Sequence, residues 1–347
     1  MGGTVLRVGA AVVVVVGLVV GVYAALTGAT LRPVVAAPPA AQATGTTGPP
    51  PPAFAPVDRA GPALTVPAAD LAASLECTRA RANRDTVLLL SGTGADPATA
   101  YSWGVRPVLT AAGFATCLST APERNTGDIA VRAQYVVHAI RTIAADTGRK
   151  VAVVGHSQGG VVVRWALRFW PDLRPLVSDV VALGPPNAGT TAFTCPPACS
   201  AADRQQAAGS AFVEALNSGA QTFPGIDYSV VVSTDDVVVT PPATASTLLG
   251  VPTVSVQQVC PGRRTDHGAL GLSDAVSLGL VVDALRNPGP ADPARIRQST
   301  CAAAQAAGIT AAALRRGTAA VRAEVDLPRT AVSEEPAPPC YTRDTPC

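Results

Sequence analysis

The chain has 347 residues, a formal net charge of +2, 48% apolar and 14% charged residues. That balance suits a globular protein with one substantial core and excludes a chain too polar to fold. No basic run or basic-aromatic pattern is present, nor any Walker-type or GxGxxG glycine loop, so nucleic-acid and nucleotide partners drop out.

From the N-terminus, residues 8–26, VGAAVVVVVGLVVGVYAAL, follow Arg7 and carry no charge. Such a run enters hydrocarbon, so residues 1–30 read as a cleaved signal peptide or a retained membrane anchor. A secreted protein, or one held on the outer side of the cell membrane by residues 8–26, is the expectation; membrane contact arises only if the segment is kept. No cysteine directly follows the segment, which leaves a lipoprotein anchor nothing to attach to. Residues 31–66 are dominated by Pro, Ala, Thr and Gly, including PPPP at Pro49 to Pro52. This composition favours extended polyproline II and predicts a disordered linker before a folded domain over 67–347.

Within that domain short β-branched runs alternate with helical patterns: TVLLL at Thr86 to Leu90, VAVV at Val151 to Val154, DVVAL at Asp179 to Leu183 and YSVVVS at Tyr228 to Ser233. The alternation predicts βαβ units and an α/β class with a mainly parallel central sheet, helices covering both faces. One helix is legible by period, since Ile129, Ala133, Val136, Ile140 and Ile143 recur at steps of four and three and Gly148 stands past its end. Gln134, His138 and Arg141 fall on the opposite, solvent-facing side, which makes His138 a surface residue. After about Arg316 a looser tail is expected.

GHSQGG, Gly155 to Gly160, matches G-x-S-x-G with a strand before it and the helical stretch VVVRWALRFW after it. Such a turn strains the serine backbone and needs glycines where a Cβ would collide with neighbouring chain. Ser157 is therefore a candidate nucleophile; the plainer reading makes it a helix cap at a tight turn. A serine hydroxyl needs a base within reach and a carboxylate to orient that base. Of three histidines, His138 faces solvent and His156 is turned away beside the serine, leaving His267 in RTDHGAL. The carboxylate should lie between Ser157 and His267, and STDDVVVTP at Ser233 to Pro241 offers Asp235 and Asp236, between which composition does not choose. Asp266, adjacent to the histidine, is a weaker rival. Oxyanion donors are expected from the backbone N–H of Gln158 and from Thr93 in SGTG, Ser91 to Gly94.

Eight cysteines, Cys77, Cys117, Cys195, Cys199, Cys260, Cys301, Cys340 and Cys347, lie beyond the apolar segment, and export makes disulfides their default state. CPPAC at Cys195 to Cys199 lacks the further ligands of a zinc site, so no metal is expected.

The elbow, SGTGAD, STDDVVVTP and VCPGRRTDHGAL, in this order and spacing, resemble the Candida antarctica lipase B family of α/β-hydrolases over approximately Cys77 to Cys347. FATC at Phe114 to Cys117, GGVVVRWALRFWP and CYTRDTPC add to the similarity. The resemblance implies an α/β-hydrolase fold with Ser157 as nucleophile, His267 as base, and Thr93 with Gln158 as oxyanion hole. It also selects Asp236, because the family's acid precedes its Pro by five residues, as Asp236 does Pro241. Paired cysteines are implied as Cys77 with Cys117, Cys260 with Cys301 and Cys340 with Cys347, leaving Cys195 and Cys199 to bridge each other. The chain departs from the family's namesake at His156, where that protein has Trp, and between Ala188 and Leu216, where small residues argue against a large apolar lid. An exported, monomeric serine lipase or carboxylesterase without cofactor, acting on a small-molecule or lipid ester through an acyl-enzyme, is the resulting expectation. An acyltransferase of the same fold is the nearest alternative, and a non-catalytic binding module of that fold the next.

Overall fold

In a computed structural model, residues 53–79, 84–193, 199–345 and 347 are described. Segment 8–26 and Cys195 lie outside them, and with them the expectations of an apolar span and of a Cys195–Cys199 bridge. Among the described residues no helix is long and apolar enough to cross a membrane.

The β-branched runs form the strands expected of them: β1 (Leu75–Cys77), β2 (Thr86–Leu90), β3 (Thr116–Ser119), β4 (Val151–His156), β5 (Val177–Leu183), β6 (Asp227–Val232) and β7 (Thr253–Ser255). They hydrogen-bond in the order β1-β3-β2-β4-β5-β6-β7, all parallel except the β1–β3 pair. β2 and β4 are buried at every position, as strands covered on both faces must be. Alternate residues of β2 enter opposite cores: Leu88 and Leu90 pack with helices α1 (Ile129–Thr147) and α2 (Gln158–Phe169). Val87 and Leu89 pack with the turn-and-helix stretch around Tyr101 to Leu109 and with a later helix over Ala275–Arg286. This doubly covered parallel sheet is the α/β-hydrolase fold. α1 starts on Asp128, whose side chain accepts from Ala130 N at 2.8 Å, and ends at Gly148 with φ 63°.

Two stretches depart from expectation. Residues 53–66, assigned to a disordered linker, are folded onto the domain. The Arg168 guanidinium donates to Ala55 O (2.5 Å), Arg174 Nη2 to Val57 O (2.5 Å) and Trp170 Nε1 to Pro62 O (2.9 Å), while Gln134 Oε1 accepts from Thr65 N at 2.6 Å. Phe54 forms an antiparallel bridge with Arg343, and beyond that bridge the segment's carbonyls remain free to accept from these long side chains. The strap also covers part of the α1 face expected to meet solvent, where Gln134 is buried against Thr65 and Val66; His138, expected at the surface, is half-buried.

The expected loose tail is likewise structured. A helix over Ala311–Val325 runs past Arg316, with the Trp103 ring lying over Gly317, where a Cβ would overlap it. Glu324 accepts from Asp96 N (2.9 Å) and Thr99 Oγ1 (2.7 Å). Further on, Arg329 pairs with Asp203 (2.6 Å), and Glu335 accepts from Ala211 N and Phe212 N at the start of helix α3 (Ala211–Leu216). Disulfides join Cys77 to Cys117, Cys260 to Cys301 and Cys340 to Cys347.

Candidate active site

Ser157 stands at the junction of β4 and α2 with φ 56° and ψ −123°. Few non-glycine residues accept this left-handed backbone, and strain of that kind clusters at functional sites. Its N–H donates to Leu183 O on the neighbouring strand at 2.8 Å, which holds the turn against the sheet. A Cβ at Gly155 would overlap the Gly159 backbone and one at Gly159 the Leu90 carbonyl, so both glycines are required by close approach. The hydroxyl makes no cap hydrogen bond to α2, which removes the helix-cap reading.

His267 opens the helix α4 (His267–Leu272), and its ring lies beside Gly184, just past the end of β5. Nδ1 meets Asp236 Oδ2 at 2.6 Å. Asp236 Oδ1 accepts from Val238 N and Val239 N, both at 2.8 Å. Burial pushes this carboxyl up, yet the His267 hydrogen bond and charge and the two backbone donors outweigh it and hold the pKa below the usual value. The anion fixes the Nδ1–H tautomer, leaving the Nε2 lone pair for a proton. The rival carboxylates are engaged elsewhere: Asp235 with Arg264 (3.3 Å) and Thr265 N (3.2 Å), and Asp266 as the N-cap of α4, accepting from Ala269 N at 2.7 Å.

His156 lies 4.7 Å from the His267 ring, centroid to centroid, and its Nε2 is 2.9 Å from His267 O. A carbonyl only accepts, so Nε2 carries the proton. Burial, and then the neighbouring histidine, lower its pKa to about 3, so it stays neutral and adds no like charge when His267 gains a proton.

Thr93 Oγ1 accepts from Gln158 Nε2 and Gln206 Nε2, each at 2.9 Å. Two donors occupy its lone pairs, and its own hydrogen is left to donate. As the first residue of α2, Gln158 has one of the backbone N–H groups that a helix leaves without an internal partner. Sequence reasoning missed Gln206, Asn125 and Arg132 behind these donors. Asn125, at φ 65° and fully buried, sends Nδ2 to Ser91 Oγ, Gly92 O and Ala95 O, clamping the Thr93 loop from below. Arg132 carried a signal that went unread: it lies three residues after Ile129 and four before Val136, a charge inside the apolar stripe. Among the described residues no group of three or more His, Cys, Asp or Glu side chains is disposed to hold a metal ion.

Fold and site geometry define an α/β-hydrolase scaffold carrying a serine on a strained strand-to-helix turn and a carboxylate-bound imidazole. The chain is similar to lipase B of Pseudozyma antarctica, 29% identical over 215 residues, which are 57% of this chain and 61% of that protein. It therefore spans about three fifths of that relative's length. The crystal structure of Aspergillus fumigatus lipase B superposes with a TM-score of 0.75 at 24% identity, covering 85% of this chain and 77% of the other. No family model matches the chain.

Proposed function

We propose that the chain is an exported serine hydrolase of carboxylic esters, a lipase or carboxylesterase acting through Ser157. The observation that carries this reading is the strained, uncapped Ser157 on its elbow in a site that also holds the His267–Asp236 pair. Similarity to lipase B of Pseudozyma antarctica supports the ester as substrate class. Disulfides and the apolar segment at 8–26 support export.

In this reading Ser157 Oγ adds to the ester carbonyl carbon while its proton passes to His267 Nε2, and the carbonyl π pair moves to oxygen. The oxyanion is met by the N–H of Gln158 and by Thr93, through its hydroxyl and backbone. Collapse expels the alcohol, which takes the proton from His267, and leaves an acyl-Ser157. Water repeats the sequence and releases the acid. Asp236 stays ionised throughout, stabilising the imidazolium.

The test is a p-nitrophenyl ester series from acetate to palmitate on the purified full chain and its Ser157→Ala variant. Hydrolysis that falls on the order of 10⁴-fold or more in the variant is expected. A fluorophosphonate probe should label only the wild type. Labelling that persists in the variant, or no hydrolysis of any ester by the wild type, overturns the reading.

A further inference from the structure

Arg132 projects from the first turns of α1 and is 4% exposed. Its Nη1 donates to Gln158 Oε1 in a short hydrogen bond and its Nη2 to Ser91 O at 2.8 Å. Both partners are neutral. Asp128 and Glu123 line the same small cavity as Arg132, about 190 Å³, but among the described residues no carboxylate pairs with it. Asp128 is committed instead to Ala130 N and Gln205 Nε2. The Tyr101 phenol is kept neutral by burial, which raises its pKa, and donates to Leu90 O at 2.8 Å. The guanidinium is thus a buried cation with no carboxylate partner among the described residues. Burial lowers its pKa, to about 9, which leaves it charged at neutral pH.

Desolvating a charge without a counter-ion is costly, and an apolar side chain at this point of the stripe would avoid that cost. What distinguishes the position is what the two hydrogen bonds hold. Gln158 bears the backbone N–H read above as one oxyanion donor. Its side chain, fixed through Oε1 by Arg132, directs Nε2 to Thr93 Oγ1 and to Asn125 O at 2.8 Å. Ser91 begins the loop that presents Thr93. A positive charge in a water-poor interior also favours negative charge developing nearby, and does so without reorganising during the reaction.

From this geometry we infer that Arg132 is a positioning residue of the oxyanion hole: a buried, carboxylate-free cation that orients Thr93 through Gln158 and Ser91 and favours the tetrahedral oxyanion over the neutral ester. The inference rests on the serine ester hydrolase reading and deepens it. It separates two parts of Arg132, its fork of hydrogen bonds and its charge, and predicts that both act on the transition state and little on the bound ester.

The experiment compares the full-length wild type with Arg132→Lys and Arg132→Met on p-nitrophenyl butyrate below its solubility limit. Inhibition by an aryl trifluoromethyl ketone is measured alongside, because addition of Ser157 to that ketone gives a stable hemiketal oxyanion. Arg132→Met is expected to lower kcat about 10- to 100-fold, less than the 10²- to 10³-fold loss of a direct donor. KM should change less than about threefold, and ketone affinity should weaken by the same factor as kcat. Arg132→Lys, which keeps the charge and loses the fork, should fall between the two, with kcat and ketone affinity again moving together. If Arg132→Met does not fold, the same parallel loss in Arg132→Lys carries the test. Variants that melt earlier but keep wild-type kcat and ketone affinity would overturn the inference and leave Arg132 a structural residue. A wild type inert to both ester and ketone would instead overturn the hydrolase reading on which it stands.

Discussion

Asp236 and Asp235 are adjacent in sequence and differ in everything that matters chemically. Asp236 is buried, accepts two backbone hydrogen bonds and meets His267 Nδ1; Asp235 faces Arg264 at the surface. Asp236→Asn replaces the carboxylate by an amide, which can present an N–H to Nδ1 and hold the imidazole in the unproductive tautomer. The expected outcome is a kcat loss on the order of 10³- to 10⁴-fold for Asp236→Asn, with Asp235→Asn within about threefold of wild type, read by steady-state ester kinetics. Equal small losses would detach Asp236 from the chemistry. The sequence made the elbow legible, because glycines flanking a serine between a strand and a helix have few other uses. It left the acid open until spacing relative to Pro241 was compared with a family pattern. Asn125 and Gln206 stayed hidden because their roles depend on which atoms converge behind Thr93, and convergence of distant segments has no local signature; Arg132 showed only as a charge inside the apolar stripe, with nothing local to name its partners.

At the scale of elements, the parallel strands were readable because residues covered on both faces must be apolar in continuous runs, and β2 and β4 are such runs. The strap over 53–66 was not, since its Pro and Ala content describes how the segment behaves alone and says nothing of acceptors offered to Arg168, Arg174 and Trp170. Those three side chains come from α2 and the turn after it, so the strap braces the helix that carries Ser157 at its start. A chain beginning at residue 67 leaves the Arg168 guanidinium and the Trp170 indole N–H without their strap acceptors and uncovers Gln134. Without the strap these groups face water, so the loss is the net worth of each hydrogen bond, about 0.5–1.5 kcal/mol, or about 1.5–3 kcal/mol where the donor is charged. Compared with a chain beginning at residue 53, that truncation should therefore melt roughly 10 °C lower, with about 2–4 °C for each kcal/mol in a domain of this size. Thermal unfolding of the two chains measures this directly, and equal midpoints would reduce the strap to a surface ornament.

For the whole molecule, the proposed ester hydrolysis turns on how the Ser157 site meets an oil surface. A lipase that requires an interface hides its site beneath a cover with a continuous apolar face, which is buried in water and re-buried against lipid. Between Ala188 and Leu216 the large apolar side chains are Phe193, Phe212, Val213 and Leu216. Three of them are already spent on the core through α3: Phe212, Val213 and Leu216 are buried, and Phe212 stacks on Trp165 with ring centroids 4.4 Å apart. Glu335 fastens the N-terminus of that helix, and Val332 N donates to Cys199 O, so the C-terminal segment ties down this stretch at two points. Residues 194–198, TCPPA, hold no large aliphatic or aromatic side chain. Elsewhere among the described residues the exposed large apolar side chains are Val131, Val237, Leu249 and Leu327, each from a different stretch of the chain. Little apolar surface is thus available to drive opening at a droplet. Tributyrin should be hydrolysed readily while fully dissolved, and the rate should pass through the solubility limit without a break. A tenfold or larger jump in rate as droplets form would contradict this, because it would require an apolar cover that these residues do not provide.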